Sequence, residues 1–467
     1  MSELKLPTAM AELRPSLPGI VEKAEKQAPY FAALLSSKQG TRVLVDNNEE
    51  QVTDLFFPPA AGTVLSVFDG KTIYERAVAG YSLKDISKAA EDLVTSEAYD
   101  KSFKASAQPE RRGDFSTQAK MDPLSMPMQQ KLDRLRELQK RARGLDPRIV
   151  NARVLYIEIN EFSVFNNRWA DLAQRVSRVR VTLMLFVAGS DGQVRYDWTS
   201  KAGTGGWELL DFTDEEIQKV LKNAVSLLTA KRIEPGEYQF ISAPGVSGTI
   251  CHESFGHGVE TDMFLKERAK AAHFIDKTVG SNLVNIYDDP SIPGEWGSYF
   301  FDDEGQLASS AQIVENGTFR RGITDFYSAT ALKFSRSANG RRQDFSRKAY
   351  ARMSNTFFGA GDSNLEDMIA QVDHGYFLDK WSSGMEDPQG WGIQVTCHYA
   401  HEIKGGKITD RVVAPVGISG YVPTVLGSVS AVSNKLDLDA GFCGKGSKEY
   451  VPVSSGGPHL LLKATLG

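Results

Sequence analysis

Apolar and polar positions change period several times along this chain, and each change marks an element. An apolar-periodic stretch runs from Val21 to Leu35. From Thr41 to Gly80, short alternating pieces (TRVLVDN, GTVLSVFDG, KTIYERAVAG) are broken by Asn-Asn and Asp-Gly turn signals and predict strands and hairpins. Leu83, Ile86, Ala90 and Leu93 recur at helical spacing, whereas SFKASAQPERRGDFSTQAK after them has neither period and reads as a long loop. Residues 130–144 (QKLDRLRELQKRARG) repeat leucines at helical spacing among basic charges, the pattern of a solvated helix with one core-facing stripe. Strand patterns return from Arg153 to Ser200. Thr213 with Glu216 three residues on then predicts a capped helix to about Thr229.

The Pro235-Gly236 turn leads into a strand, YQFISAP, and beyond about residue 275 short strands, Gly turns and acidic corners (YDDPSIPG, FDDEG) dominate. Those corners lack the alternating oxygen spacing of a calcium loop and read as solvated turns. The fold class expected is α+β. A mixed α/β N-terminal domain over residues 1–234 precedes a mostly antiparallel β domain over residues 235–467, which carries a distorted metal-binding helix.

A chain of 467 residues is long enough for two cores. Its net charge of -5 offers no basic excess for phosphates, which argues against direct nucleic-acid binding. Three cysteines, Cys251, Cys397 and Cys443, are too few for a disulfide framework and point to a reducing compartment. No apolar run has signal-peptide or membrane-spanning length. These features predict a cytoplasmic protein with no membrane partner.

The chemistry concentrates in CHESFGHGVETD. His252 and His257 supply two imidazoles for one ion, and Glu253 beside them supplies a carboxylate able to take a proton from water activated by the metal. The familiar zinc-peptidase spacing places its histidines at i and i+4; here they stand at i and i+5, and five steps of about 100° leave the second about 140° from the first. A regular helix would aim them apart. Gly256 is the place for a π-bulge or a local break.

A zinc site of this type needs a third protein ligand. Cys251 and Cys397 suit core packing, and Cys443, set between glycines in AGFCGKGSKEY that let the backbone turn sharply, is the thiolate chosen. His273, His374, His398, His401 and His459 read as surface or satisfied histidines, His398 and His401 facing opposite sides of a strand.

Two stretches, ISAPGVSGTICHESFGHGVETD followed by NIYDDPSIPGEWGSYFFDDEG, and GFCGKGSKEYVPVSSGGPHLLL, resemble the TldD/PmbA family, also known as modulators of DNA gyrase, on its zinc-bearing TldD side. The basic segment from Lys101 to Arg148 departs from the family pattern. The resemblance implies zinc held by His252, His257 and Cys443, Glu253 as general base, and peptidase activity on short or unfolded peptides. It also implies a dimer, either of identical subunits or with a homologue lacking the motif. The rival reading is a non-enzymatic peptide- or gyrase-binding protein with a structural zinc; a zinc hydrolase for a non-peptide amide is a second.

Overall fold

The strand-patterned pieces of the first half join into one sheet, seen in a computed structural model that describes residues 4–56, 60–96, 99–100, 102–105, 108–446 and 449–467. Its strands are β1 (Phe31–Val45), β2 (Glu50–Asp54), β3 (Ala60–Phe68), β4 (Ile73–Ala79), β5 (Arg111–Ser116), β6 (Ile149–Asn167), β7 (Ala170–Ala188) and β8 (Val194–Thr204). Their order is β4-β3-β1-β6-β7-β5, with β2 also on β1 and β8 also on β7. Helices α1 (Thr8–Leu13), α2 (Leu17–Glu25) and α3 (Leu83–Ser96) bury Met10, Val21, Ile86 and Leu93 against Phe31, Leu65 and Val164. Farther along the sheet, α4 (Met128–Arg143) and α5 (Asp214–Ser226) cover Val154, Val181 and Leu183. The capping box forms: Thr213 Oγ1 accepts from the Glu216 N–H, and the Glu216 carboxylate accepts from the Thr213 N–H.

Three expectations need correction here. The apolar stretch from Val21 to Leu35 is divided, its first part closing α2 and its last opening β1. The polar run taken as a long loop contains β5, which pairs in parallel with β7; only its residues 106 and 107 lie outside the described set. The face of α4 is not wholly wet, since Lys131 is buried and its ammonium meets the Glu158 carboxylate at 2.6 Å.

The second half supplies β9 (Gly236–Ser242), α6 (Pro244–Phe255), β10 (Ile286–Asp288), β11 (Ala311–Glu315), β12 (Thr318–Phe319), β13 (Gly340–Arg341), β14 (Tyr350–Ala351), β15 (Asn355–Phe358), β16 (His374–Asp387), β17 (Gly392–Lys404), β18 (Lys407–Val413), β19 (Val416–Tyr421), β20 (Ala431–Val432), β21 (Asp437–Lys445), β22 (Glu449–Gly457) and β23 (Leu460–Leu466). A seven-stranded sheet, β16-β9-β23-β19-β17-β18 with β20 on β23, faces a six-stranded one ordered β12-β11-β10-β15-β22-β21. Pairing is antiparallel except for β9 with β16 and β15 with β22. The fold is α+β, and α6 runs between the two sheets, packed against β16 and β17 on one side and β15, β21 and β22 on the other.

The acidic corners are not solvated turns. Asp288 is fully buried and accepts from Asn339 Nδ2 (2.7 Å), Ser354 N (2.9 Å) and Thr356 Oγ1 (2.7 Å), and Asp302 accepts from the backbone N–H groups of Gln306 and Gly340. Buried carboxylates satisfied in this way hold loops rather than shed them into water. The halves meet through similar contacts. Arg178 of β7, fully buried, pairs with Glu161 and donates to the carbonyls of Trp296 (2.7 Å) and Ser298 (2.8 Å). Leu34, Phe165 and Leu172 of the first sheet pack on Phe301.

Candidate metal centre

The helix α6 follows β9 without a loop and opens at Pro244, whose missing N–H would be unpaired at a first helical position anyway. It is buried nearly all round, Ile250, Cys251 and Phe255 being fully so. Burial of an Ile or Phe side chain stabilises by roughly 1.5–3 kcal/mol each. Two of its hydroxyls are satisfied within the helix, Ser254 Oγ donating to the Ile250 carbonyl (2.6 Å) and Thr249 Oγ1 to that of Gly245 (3.0 Å), while Ser247 Oγ meets Ser242 Oγ of β9 at 2.7 Å. Only Pro244, Gly245 and His252 keep appreciable exposure.

The irregular turn is a break, not a π-bulge. The helix ends at Phe255, Gly256 takes φ -96° and ψ -83°, and a 3₁₀ turn begins at His257. The Gly256 N–H still donates to the His252 carbonyl (3.1 Å). A Cβ at Gly256 would run into that same carbonyl oxygen and into Met353 Sδ, so no other residue fits the turn unmoved. The break swings His257 back toward His252, and their rings meet edge to face with centroids 5.0 Å apart.

Cys443 arrives from the six-stranded sheet. It sits within β21, the edge strand, opposite Val451 of β22. The sharp turn expected around it is therefore absent: Gly441 and Gly444 are ordinary strand positions, and the left-handed residue is Gly446, φ 61°. Its Sγ lies 3.3 Å from His257 Nε2, and one nitrogen of each histidine and this sulfur all fall within 4.8 Å of one another.

Burial would raise the Cys443 thiol, but the charge and hydrogen bonds of His257 and His252 outweigh it and hold the thiol well below its ordinary value. Reciprocally, burial would lower both imidazoles and the thiolate raises them, His257 most. Cys251 and Cys397, with no such partners, are pushed up by burial and are core side chains. Glu253 is buried on the same helix, and burial, with Glu386 adding to it against the pull of the two histidines, pushes its carboxyl up to about 7.

Other groups at the centre carried no signal recognised in the sequence. Glu386 of β16, with Glu253 and His257, forms a second cluster of possible ligand atoms within 4.8 Å. Glu260 Oε2 lies 3.3 Å from His257 Nδ1, and Lys445 Nζ lies 3.0 Å from the same oxygen. Glu260 stands three residues past His257 in the quoted motif, where helical spacing could have pointed to it. The remaining histidines stay apart. His273 and His374 are exposed, His398 Nε2 donates to the Tyr196 carbonyl (2.7 Å), His401 packs edge-on against Tyr399, and His459 lies against Phe377.

Comparison with known proteins places this geometry in a family. Residues 122–232 match the PmbA/TldA metallopeptidase central domain and residues 235–466 the PmbA/TldA metallopeptidase C-terminal domain. A metalloprotease of Methanothermobacter thermautotrophicus is 33% identical over 68% of this chain and 69% of its own length. A metalloprotease TldD homologue of Haemophilus influenzae is 28% identical over 74% and 73%, and a zinc metalloprotease TldD homologue of Saccharolobus solfataricus 27% over 60% and 63%. The solved structure of TldE from Thermococcus kodakarensis, 17% identical, covers 97% of this chain and 100% of its own, with a TM-score of 0.76, and shows the same fold. Among the described residues, no helix is long and apolar enough to cross a membrane. On the match of both domains and a relative a third identical over two thirds of its length, the chain belongs to the TldD/PmbA metallopeptidase family.

Proposed function

We propose that this chain is a zinc-dependent peptidase acting on short or unfolded peptides, with His252, His257 and Cys443 as metal ligands and Glu253 as general base. In this reading residues 1–234 and 235–467 are its two domains, and it works in the cytoplasm as a homodimer or beside a homologue lacking the motif.

The observation that carries the reading is the meeting of one depressed thiol and two imidazoles at the end of a broken helix. Two nitrogens and a sulfur form a donor set that suits zinc. At bond lengths of about 2.0 and 2.3 Å and a tetrahedral angle, nitrogen and sulfur should stand about 3.5 Å apart. The 3.3 Å between His257 Nε2 and Cys443 Sγ is close to that. Three protein ligands leave one position open, as catalytic sites do. The zinc named for the Saccharolobus relative agrees with the donor set.

Bound there, zinc supplies Lewis-acid polarisation and brings the ionisation of water toward neutral pH. Glu253 takes the proton of the attacking water. Burial raises its carboxyl above the ordinary range, which suits it to accepting that proton and returning it to the leaving amine. The Cβ that Gly384 lacks would lie 2.7 Å from Glu253 Cγ, so β16 presses on the base and limits where its carboxylate points. An extended peptide can gain backbone hydrogen bonds along an exposed strand edge, which gives affinity with little sequence preference.

Glu253→Gln tests the mechanism: metal content should match the parent while peptide hydrolysis falls by at least about 10²-fold, the low end for loss of a general base. Equal turnover by both proteins would end the assignment. Glu386, which clusters with Glu253 and His257 but not with His252 or Cys443, is the candidate fourth ligand of one competing reading, a closed structural site. In that case Glu386→Gln loosens the metal and neither protein cleaves peptides.

A further inference from the structure

We infer that Glu260 is a positioning residue, its buried carboxylate, braced by the strand that carries Cys443, fixing the His257 ring so that Nε2 faces the thiolate. The inference rests on the metal-centre reading above.

His257 follows a helix break, so its ring is not aimed by a regular backbone. What aims it is contact on both sides: Nδ1 lies 3.3 Å from Glu260 Oε2 and Nε2 lies 3.3 Å from Cys443 Sγ. A carboxylate on Nδ1 keeps the proton there and leaves the Nε2 lone pair free to face an ion. Glu260 is 1% exposed, and a charge so buried needs partners.

Those partners come from the other ligand's surroundings. Lys445, two residues beyond Cys443 and therefore on the same face of β21, reaches Glu260 Oε2 (3.0 Å) and Asp262 Oδ1 (2.6 Å). Arg352 donates from Nη2 to the Cys443 carbonyl (2.7 Å) and from Nη1 to the Glu449 carbonyl (3.2 Å), and its Nε stands 3.9 Å from Glu260 Oε1. One carboxylate thus ties together segments 186 residues apart in sequence.

The network is not arranged for the best ion pairing. Lys445 already has Asp262, while Glu260 Oε1 and Arg352 Nε are both buried with no hydrogen-bond partner. A carboxylate serving only the cations would close that gap, since leaving a buried polar atom unpaired is costly. Held short of Arg352, Glu260 meets the imidazole instead.

The test uses the full chain, with zinc affinity read by chelator competition and cobalt-substituted protein read by its absorption spectrum. Glu260→Gln removes the charge, and Glu260→Asp keeps it but withdraws it from Nδ1. Both should bind zinc about 10–100-fold more weakly than the parent, with shifted cobalt bands. Thermal unfolding of the metal-free proteins identifies folded variants, and Glu260→Asp decides if Glu260→Gln does not fold. Parent-like affinity and cobalt spectrum in a folded variant overturn the positioning role. Cys443→Ser separates the two readings: if it binds zinc as tightly as the parent, the metal centre itself is wrong, whereas loss there alone rejects only the role of Glu260.

Discussion

Substituting Gly256 by Ala tests whether the helix break creates the site. The added Cβ would fall more than about 1 Å inside the roughly 3.5 Å of ordinary contact with the His252 carbonyl oxygen, which is backbone and cannot rotate away. Met353 Sδ would be closer still but is flexible, so the carbonyl sets the outcome. Relief requires His252 and His257 to separate by about 1 Å. Overpacking of this kind costs about 1–3 kcal/mol, and a 1 Å misplacement of a reacting group costs about 10²-fold in turnover. Gly258, two residues on, is the matched control. Its Cβ would make only ordinary contacts with the Trp391 ring, Nε1 at 3.5 Å and Cδ1 at 3.9 Å, so Gly258→Ala should stay within about 0.5 kcal/mol of the parent. Chelator competition for zinc, peptide hydrolysis and thermal unfolding on the three proteins give the comparison. If Gly256→Ala keeps parental affinity, or Gly258→Ala loses as much, the break is not what brings the histidines together.

Gly384→Ala should lower turnover about tenfold or more while zinc content holds, because its Cβ would press on Glu253 and on Thr249 Cγ2 at 2.7 Å rather than on a ligand; parental kcat in steady-state assays would contradict this. Burial, reinforced by Asp437 and Asp439, raises Glu295 to about 7, so the folded state binds its proton more tightly than the unfolded chain, and the associated stability is present below about pH 4.5 and lost as pH rises toward 7. Glu295→Gln should therefore raise stability above pH 7 by about 1–2 kcal/mol after allowance for partial exposure, seen as a higher thermal midpoint, and change it little at pH 5; a pH-independent difference would refute the cause. Arg178→Met leaves the largely buried Glu161 with Lys38 as its remaining ion-pair partner and removes two bonds to the second half, so a loss of about 3 kcal/mol is expected in denaturant unfolding. An unchanged midpoint would show the contact to be dispensable.

The candidate metal centre is readable in sequence as far as chemistry is local. His252, Glu253 and His257 share one short segment, and the i to i+5 spacing itself required the irregularity found at Gly256. Cys443 was reachable as a type of donor, yet its setting was misread, since flanking glycines signal a turn only when the strand pairing opposite them is ignored. Asp288 shows the same limit: its partners Asn339, Ser354 and Thr356 lie 51 to 68 residues away, and an Asp-Asp-Pro corner looks the same whether wet or buried. The strand β5 was missed because its alternation is weak and its pairing with β7 is supplied wholly by distant residues. The burial of Lys131 is not legible within its charge run, because a helical wheel does not show the Glu158 carboxylate on a neighbouring strand.

The placement of Cys443 on β21, far along the chain from the helix it completes, has a consequence for biosynthesis. A ribosome that has not yet reached residue 443 has made both imidazoles and Glu253 but not the Cys443 thiol. The strand that launches α6, β9, gains its neighbour β23 later still. On the proposed reading, hydrolytic capacity would thus wait until β21 has been made and paired, which shields a partly made polypeptide from its own chemistry.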